Sequence, residues 1–139
     1  MVTLSQTIPA LPVRDAAQAV EFYRDRLGFD VVHHDGGFAV VTRDGAELHL
    51  WEASDDSWQE RGSLDRPVQS GAESFIAGTA SCRIAADDVD ALYDEYRQRD
   101  VLHPVSQDGV QDTDFGTHEF ATLDVDGTLL TFFRWREDA

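Results

Sequence analysis

The stretch Phe120-Ala-Thr-Leu-Asp-Val-Asp-Gly-Thr-Leu-Leu-Thr-Phe-Phe133 reads as two apolar runs joined at Asp-Gly, the pattern of a β-hairpin. A second version lies upstream, in Phe38-Ala-Val-Val41, Arg43-Asp-Gly45 and Glu47-Leu-His-Leu-Trp51. An offset of 82 lays Phe38 on Phe120, Gly45 on Gly127 and Leu48 on Leu130. Working outward, a helix precedes each hairpin. Asp15 caps one, with Ala16, Ala19, Val20, Tyr23 and Leu27 at helical spacing and Gly28 as its stop. Asp87 or Asp88 caps the other, with Val89, Leu92, Tyr93 and Tyr96 along one face. Superposing Asp15 on Asp88, an offset of 73, also superposes Tyr23 on Tyr96, Arg24 on Arg97 and Arg26 on Arg99. The prediction is an α+β chain in which a strand, a helix and three strands occur twice.

The 139 residues form one predicted domain, 1–139, with a first half at about 5–53, a connection at about 54–78 and a second half at about 79–136. A hydrophobic content of 42% supports a real core. Acidic residues outnumber basic ones by 27 to 11, for a net charge of −16, which argues against nucleic acid and anionic membranes as partners. Such a field attracts and steers a cationic ligand. Cys82 is the single cysteine, so no intrachain disulfide and no thiolate cluster forms. The first residues show no basic start and no apolar run, and the expected location is cytoplasmic.

The connection between the halves has no clear period and carries Asp55, Asp56 and Trp58, a large ring in a polar setting. A loop of that length in a small domain is usually functional or disordered. His33 and His34 alternate across a strand and cannot chelate together. His103 and His118 read as surface or hydrogen-bonded histidines, and no phosphate loop, nucleophile elbow or HExxH helix occurs.

The doubled βαβββ unit resembles the vicinal oxygen chelate superfamily, which includes glyoxalase I, extradiol dioxygenases, fosfomycin-resistance enzymes and bleomycin-resistance proteins. The pieces carrying the resemblance are Val13-Arg-Asp15, Phe22-Tyr23, Leu27-Gly-Phe29 and Asp124-Val-Asp-Gly127. It implies that each half rolls its sheet into a cup. Metal-using members place ligands at four cup positions, which fall here on Ile8, His49, Ser81 and Thr131. Only His49 is a good donor there, so no metal, no other cofactor and no catalytic residue is expected. Bleomycin-resistance proteins are similar in further pieces: Gly37-Phe38-Ala39, Phe115-Gly-Thr-His-Glu-Phe120 (Phe where Trp is usual) and the Asp-x-Asp-Gly turn.

That resemblance implies a non-catalytic protein that binds and sequesters a bleomycin-type antibiotic, free or as its metal complex. Flat heterocycles stack on aromatic rings, and cationic tails seek carboxylates. The expected ligand-binding residues are Phe38, His49, Trp51, Trp58 and Phe115, with Asp55, Asp56, Asp112 and Asp114 as nearby carboxylates. A homodimer is implied too, with Gln6–Val13 as an exchanged strand, since Pro9 and Pro12 suit an edge. Two alternatives stay open: a metal-dependent lyase, dioxygenase or thiol transferase of the same fold, and a protein sequestering another flat cationic metabolite.

Overall fold

The structure is a computed structural model that describes residues 1–53 and 77–137. Strand β1 (Ala10–Val13), helix α1 (Ala16–Asp25) and strands β2 (Asp30–Asp35), β3 (Phe38–Arg43) and β4 (Ala46–Glu52) make the first half. Strand β5 (Ser81–Ala85), helix α2 (Val89–Gln98) and strands β6 (Gln111–Asp112), β7 (Thr117–Leu123) and β8 (Leu129–Trp135) make the second. The sheets run β1-β4-β3-β2 and β5-β8-β7-β6, so the predicted doubling is the observed architecture. Asp55, Asp56 and Trp58 lie outside the described residues.

Both helices start as the sequence dictates. The Asp15 carboxylate accepts from the Gln18 N–H, and the Asp88 carboxylate accepts from the Ala91 N–H. Each occupies one otherwise orphaned donor of a first turn. The apolar stripes face one shared core, in which Tyr23, Leu27, Val89 and Tyr96 have no exposure.

Internal duplication explains how the halves join. Arg26 donates to the Arg99 carbonyl at 2.7 Å, and Arg99 donates to the Asp25 carbonyl at 2.6 Å, a nearly reciprocal pair of residues 73 apart. Tyr96 donates to the Leu27 carbonyl at 2.6 Å, while Tyr23 donates to the Asp124 carboxylate at 2.7 Å. Burial pushes the Tyr96 phenol up to about 12, and burial beside Asp124 raises that of Tyr23 still more clearly. Arg43 adds a two-pronged pair with Glu95 across the same seam.

One expected superposition fails by a single residue. Thr42 lies opposite Glu47, with four residues between them, but Leu123 lies opposite Leu129, with five. The trailing strands β4 and β8 match at an offset of 82, because Leu48 and Leu130 are both core; the leading strands β3 and β7 match at 81. The extra residue sits in the second turn, where the Asp124 carboxylate accepts from the backbone of both Asp126 and Thr128. Side chains alternate along a strand, so a slip of one changes the face. Phe120 is therefore core, 2% exposed and stacked on Phe132, whereas Phe38 is not its equivalent. The true counterpart of Phe38 is Glu119.

The N-terminus also differs from expectation. Of Gln6–Val13, the stretch Ala10–Val13 pairs in parallel with β4 of the same chain, because Leu11 and Val13 belong to its own core. Residues 1–9 carry no regular structure and expose Met1, Val2, Leu4 and Ile8. Pro12 does stand on an edge strand, where its missing N–H costs no ladder bond. Among the described residues, no helix is long and apolar enough to cross a membrane.

Candidate functional site

Each sheet has one face on the helices and one open face. In β4, Leu48 and Leu50 are core, while Glu47, His49 and Trp51 alternate away from it and are half-buried. Phe38 lies opposite Trp51 in register and belongs to the same open face. Its ring meets His49 edge-on at 5.3 Å and His33 at 6.0 Å. The His49 Nε2 atom is 2.9 Å from a Glu47 carboxylate oxygen. The first open face is thus a wall of rings with one polar pair.

The second open face is built differently. Along β8, Thr131, Phe133 and Trp135 alternate with core Leu130 and Phe132, and Trp135 is 66% exposed. Phe133 and Trp135 meet edge-on at 5.7 Å. Phe115 stands in the turn before β7 and is 59% exposed, so it is not core. Arg83 of β5 places its guanidinium 5.6 Å from the Phe115 ring centre and 4.8 Å from that of Phe133. Glu119 of β7 anchors that guanidinium at 2.7 Å. The Arg83 charge, helped by the Thr117 hydroxyl, holds the Glu119 carboxyl below its usual range, and the Arg83 pKa rises in turn.

Of the expected residues, Phe38, His49 and Trp51 gather on the first open face and Phe115 on the second. Asp114 is exposed in the turn beside Phe115. Asp112 is placed elsewhere. It lies opposite His118, whose side chain points to the helices, and its carboxylate sits 2.6 Å from His118 Nδ1. His118 Nε2 reaches Asp90 of α2 at 2.9 Å, so Asp112 belongs to an inter-element clasp rather than to the open face.

Sequence reading placed neither Phe133 nor Trp135 in the site. The signal was present, since both continue the alternation from Thr131, and Phe133 is Trp51 displaced by 82. Cys82 faces the core, and burial pushes its thiol up.

The four superfamily metal positions do not suit a divalent ion. Ile8 offers no donor, Ser81 and Thr131 are neutral hydroxyls, and the His49 ring is occupied with Glu47. Thr131 lies directly opposite Arg83, whose positive charge opposes a dication there. Among the described residues, no group of three or more His, Cys, Asp or Glu side chains is placed to hold a metal.

Residues 5–132 match the Glyoxalase/Bleomycin resistance protein/Dioxygenase superfamily. A bleomycin resistance protein of Geobacillus stearothermophilus is 48% identical over 129 residues, spanning 93% of this chain and 96% of that one. One from Staphylococcus aureus (strain MRSA252) matches at the same identity and coverage. Among solved structures, the bleomycin-binding protein of bleomycin-producing Streptomyces verticillus, complexed with copper(II)-bleomycin, has TM-score 0.70 at 26% identity, covering 95% of this chain and 97% of that one. A lactoylglutathione lyase from Agrobacterium tumefaciens shares the fold, with TM-score 0.67 at 18% identity and coverage of 95% and 94%. Backbone likeness alone therefore does not separate a binder from an enzyme; the side chains on the open faces must.

Proposed function

Because the chain belongs to the Glyoxalase/Bleomycin resistance protein/Dioxygenase superfamily, we propose that it binds a bleomycin-type glycopeptide antibiotic and sequesters it without catalysis, giving drug resistance. The observation that carries this reading is the pair of open faces, which present rings to solvent while the superfamily's four metal positions hold Ile8, His49, Ser81 and Thr131. Phe115 and Trp135 are too exposed to be core. With Phe133 and the Arg83 that joins them they gather on one open face, and a contiguous exposed apolar patch marks a binding surface. Identity of 48% to proteins named for bleomycin resistance supports the same ligand class.

In this reading Phe38, His49, Trp51 and Phe115 contact the drug, joined by Trp58 and the carboxylates Asp55, Asp56 and Asp114. Each stacked ring adds about 0.5–1.5 kcal/mol beyond burial, and the acidic surroundings draw in the cationic tail. Asp112 is left out because His118 engages it. The protein works as a cytoplasmic homodimer. Residues 1–9 expose four apolar side chains, and β5 is an edge strand beside a cavity of about 660 Å³ that Gln6, Thr7 and Pro9 help to line. An unpaired edge is a template for a partner's arm, so the exchanged segment is 1–9 rather than the whole of Gln6–Val13.

Protection of DNA from iron-loaded bleomycin tests the proposal. Strand scission should fall in proportion to protein added and cease near equimolar protein, and drug released by denaturing the protein should cut again. Protection by a small fraction of an equivalent would mean turnover, and no protection would mean another ligand.

A further inference from the structure

Arg83 is exposed over 44% of its side chain, yet it is held at its fork and against two rings. Its Nη2 donates to one Glu119 oxygen at 2.7 Å and its Nη1 to the other at 3.3 Å. Its guanidinium carbon lies within 6 Å of two ring centres, at 5.6 Å from Phe115 and 4.8 Å from Phe133. Glu119 also accepts from the Thr117 hydroxyl at 2.5 Å, and that hydroxyl is 2.8 Å from the one on Thr113. The Thr113 carbonyl accepts from the Gly116 N–H and from Arg136, so the turn bearing Phe115 is tied down with the same carboxylate. An exposed arginine in a lone surface pair swings freely; this one is fixed at its fork and against two rings. A fixed guanidinium is flat, weakly hydrated and stacks as a ring does. The first open face has no counterpart, because the residue 73 positions earlier is Ala10.

We infer that Arg83 is a specificity-determining residue of the drug site: with Phe115 and Phe133 it forms a stacking plate that takes the flat, uncharged heteroaromatic part of the ligand and turns its cationic end away. Glu119 is a positioning residue, acting on the ligand through Arg83. The inference rests on the sequestration reading above.

Calorimetric titration of the full chain with metal-free bleomycin tests it, using Arg83→Lys, Arg83→Met, Glu119→Gln and the Arg83→Lys/Glu119→Gln double variant. Lysine keeps the charge and loses the plane; methionine loses both. The expected result is a similar rise in Kd for both Arg83 variants, about tenfold. Glu119→Gln should raise Kd several-fold alone and add almost nothing to Arg83→Lys, the non-additivity that separates positioning from general structural damage. Melting temperatures should stay near wild type, because none of these side chains fills the core. If Arg83→Lys binds like wild type, or the two Glu119→Gln effects simply add, the inference is overturned while sequestration stands. If wild type itself does not bind bleomycin, both fall.

Discussion

The open face of the first sheet carries Phe38, His49 and Trp51, whereas the matching positions of the second carry Glu119, Thr131 and Phe133. The helix-side positions tell the opposite story. Tyr23 matches Tyr96, Leu11 matches Ile84, and Leu48 matches Leu130, all in or packed against one core. Packing explains the contrast, since a close-packed interior tolerates little change of volume. The open faces carry no such packing constraint, so two copies of one unit become two different walls.

The most severe test of this contrast uses the two phenylalanines that sequence pairs and structure separates. Phe120→Ala should lose about 3–5 kcal/mol of stability, as a buried Phe deletion does. Phe38→Ala should lose far less and weaken drug binding instead. Urea melts and titrations on both variants check it, and equal stability losses would restore the 82-residue alignment across both strands.

Next in size is Phe115→Ala, expected to weaken bleomycin binding by about 2 kcal/mol, roughly thirtyfold in Kd. Stability should barely change, since the ring leaves no core cavity. Phe115→Trp should hold or improve affinity. A melt that drops while affinity stays would place the ligand elsewhere.

Tyr23→Phe tests the join between the halves rather than their faces. Removing the hydroxyl that donates to buried Asp124 should cost about 1.5 kcal/mol, the lower range for a hydrogen bond to a charged group. Asp124 keeps its two backbone donors, so the five-residue turn should survive and the drug affinity with it.

The smallest effect is a pH dependence at the His118 clasp. Asp90 and Asp112 raise the His118 pKa above its ordinary 6.5, against the opposing pull of partial burial and of nearby Arg134. A raised histidine stabilises the fold fully below its ordinary pKa and loses that contribution as pH rises through the folded value. The Asp112 pKa is lowered by the same contact, so on the acid side the clasp weakens as that carboxylate protonates. The melting temperature of His118→Gln should therefore fall short of wild type more at pH 6 than at pH 8.5. A gap that is the same at both values would deny the clasp its charge.

Much of this was legible in the sequence, for identifiable reasons. Asp15, Asp88 and the tyrosines announce two helices by capping and period, and Asp-Gly announces two hairpins. The face of Phe120 was not legible, because one extra residue in the second turn hides within a matching Asp-Gly signal. The candidate site was half legible. Phe38, His49, Trp51 and Phe115 follow from motif and alternation, but the Arg83–Glu119 pair depends on contact between strands far apart in sequence. Asp112 was misplaced because nearness in sequence to Phe115 says nothing about face.

The most direct test of sequestration is a calorimetric titration of the wild-type chain with metal-free bleomycin, followed by the mass of the drug recovered. The expected result is saturable binding, stoichiometric with the chain, and a recovered drug of unchanged mass. A titration without heat or saturation, or a drug recovered with altered mass, would contradict it.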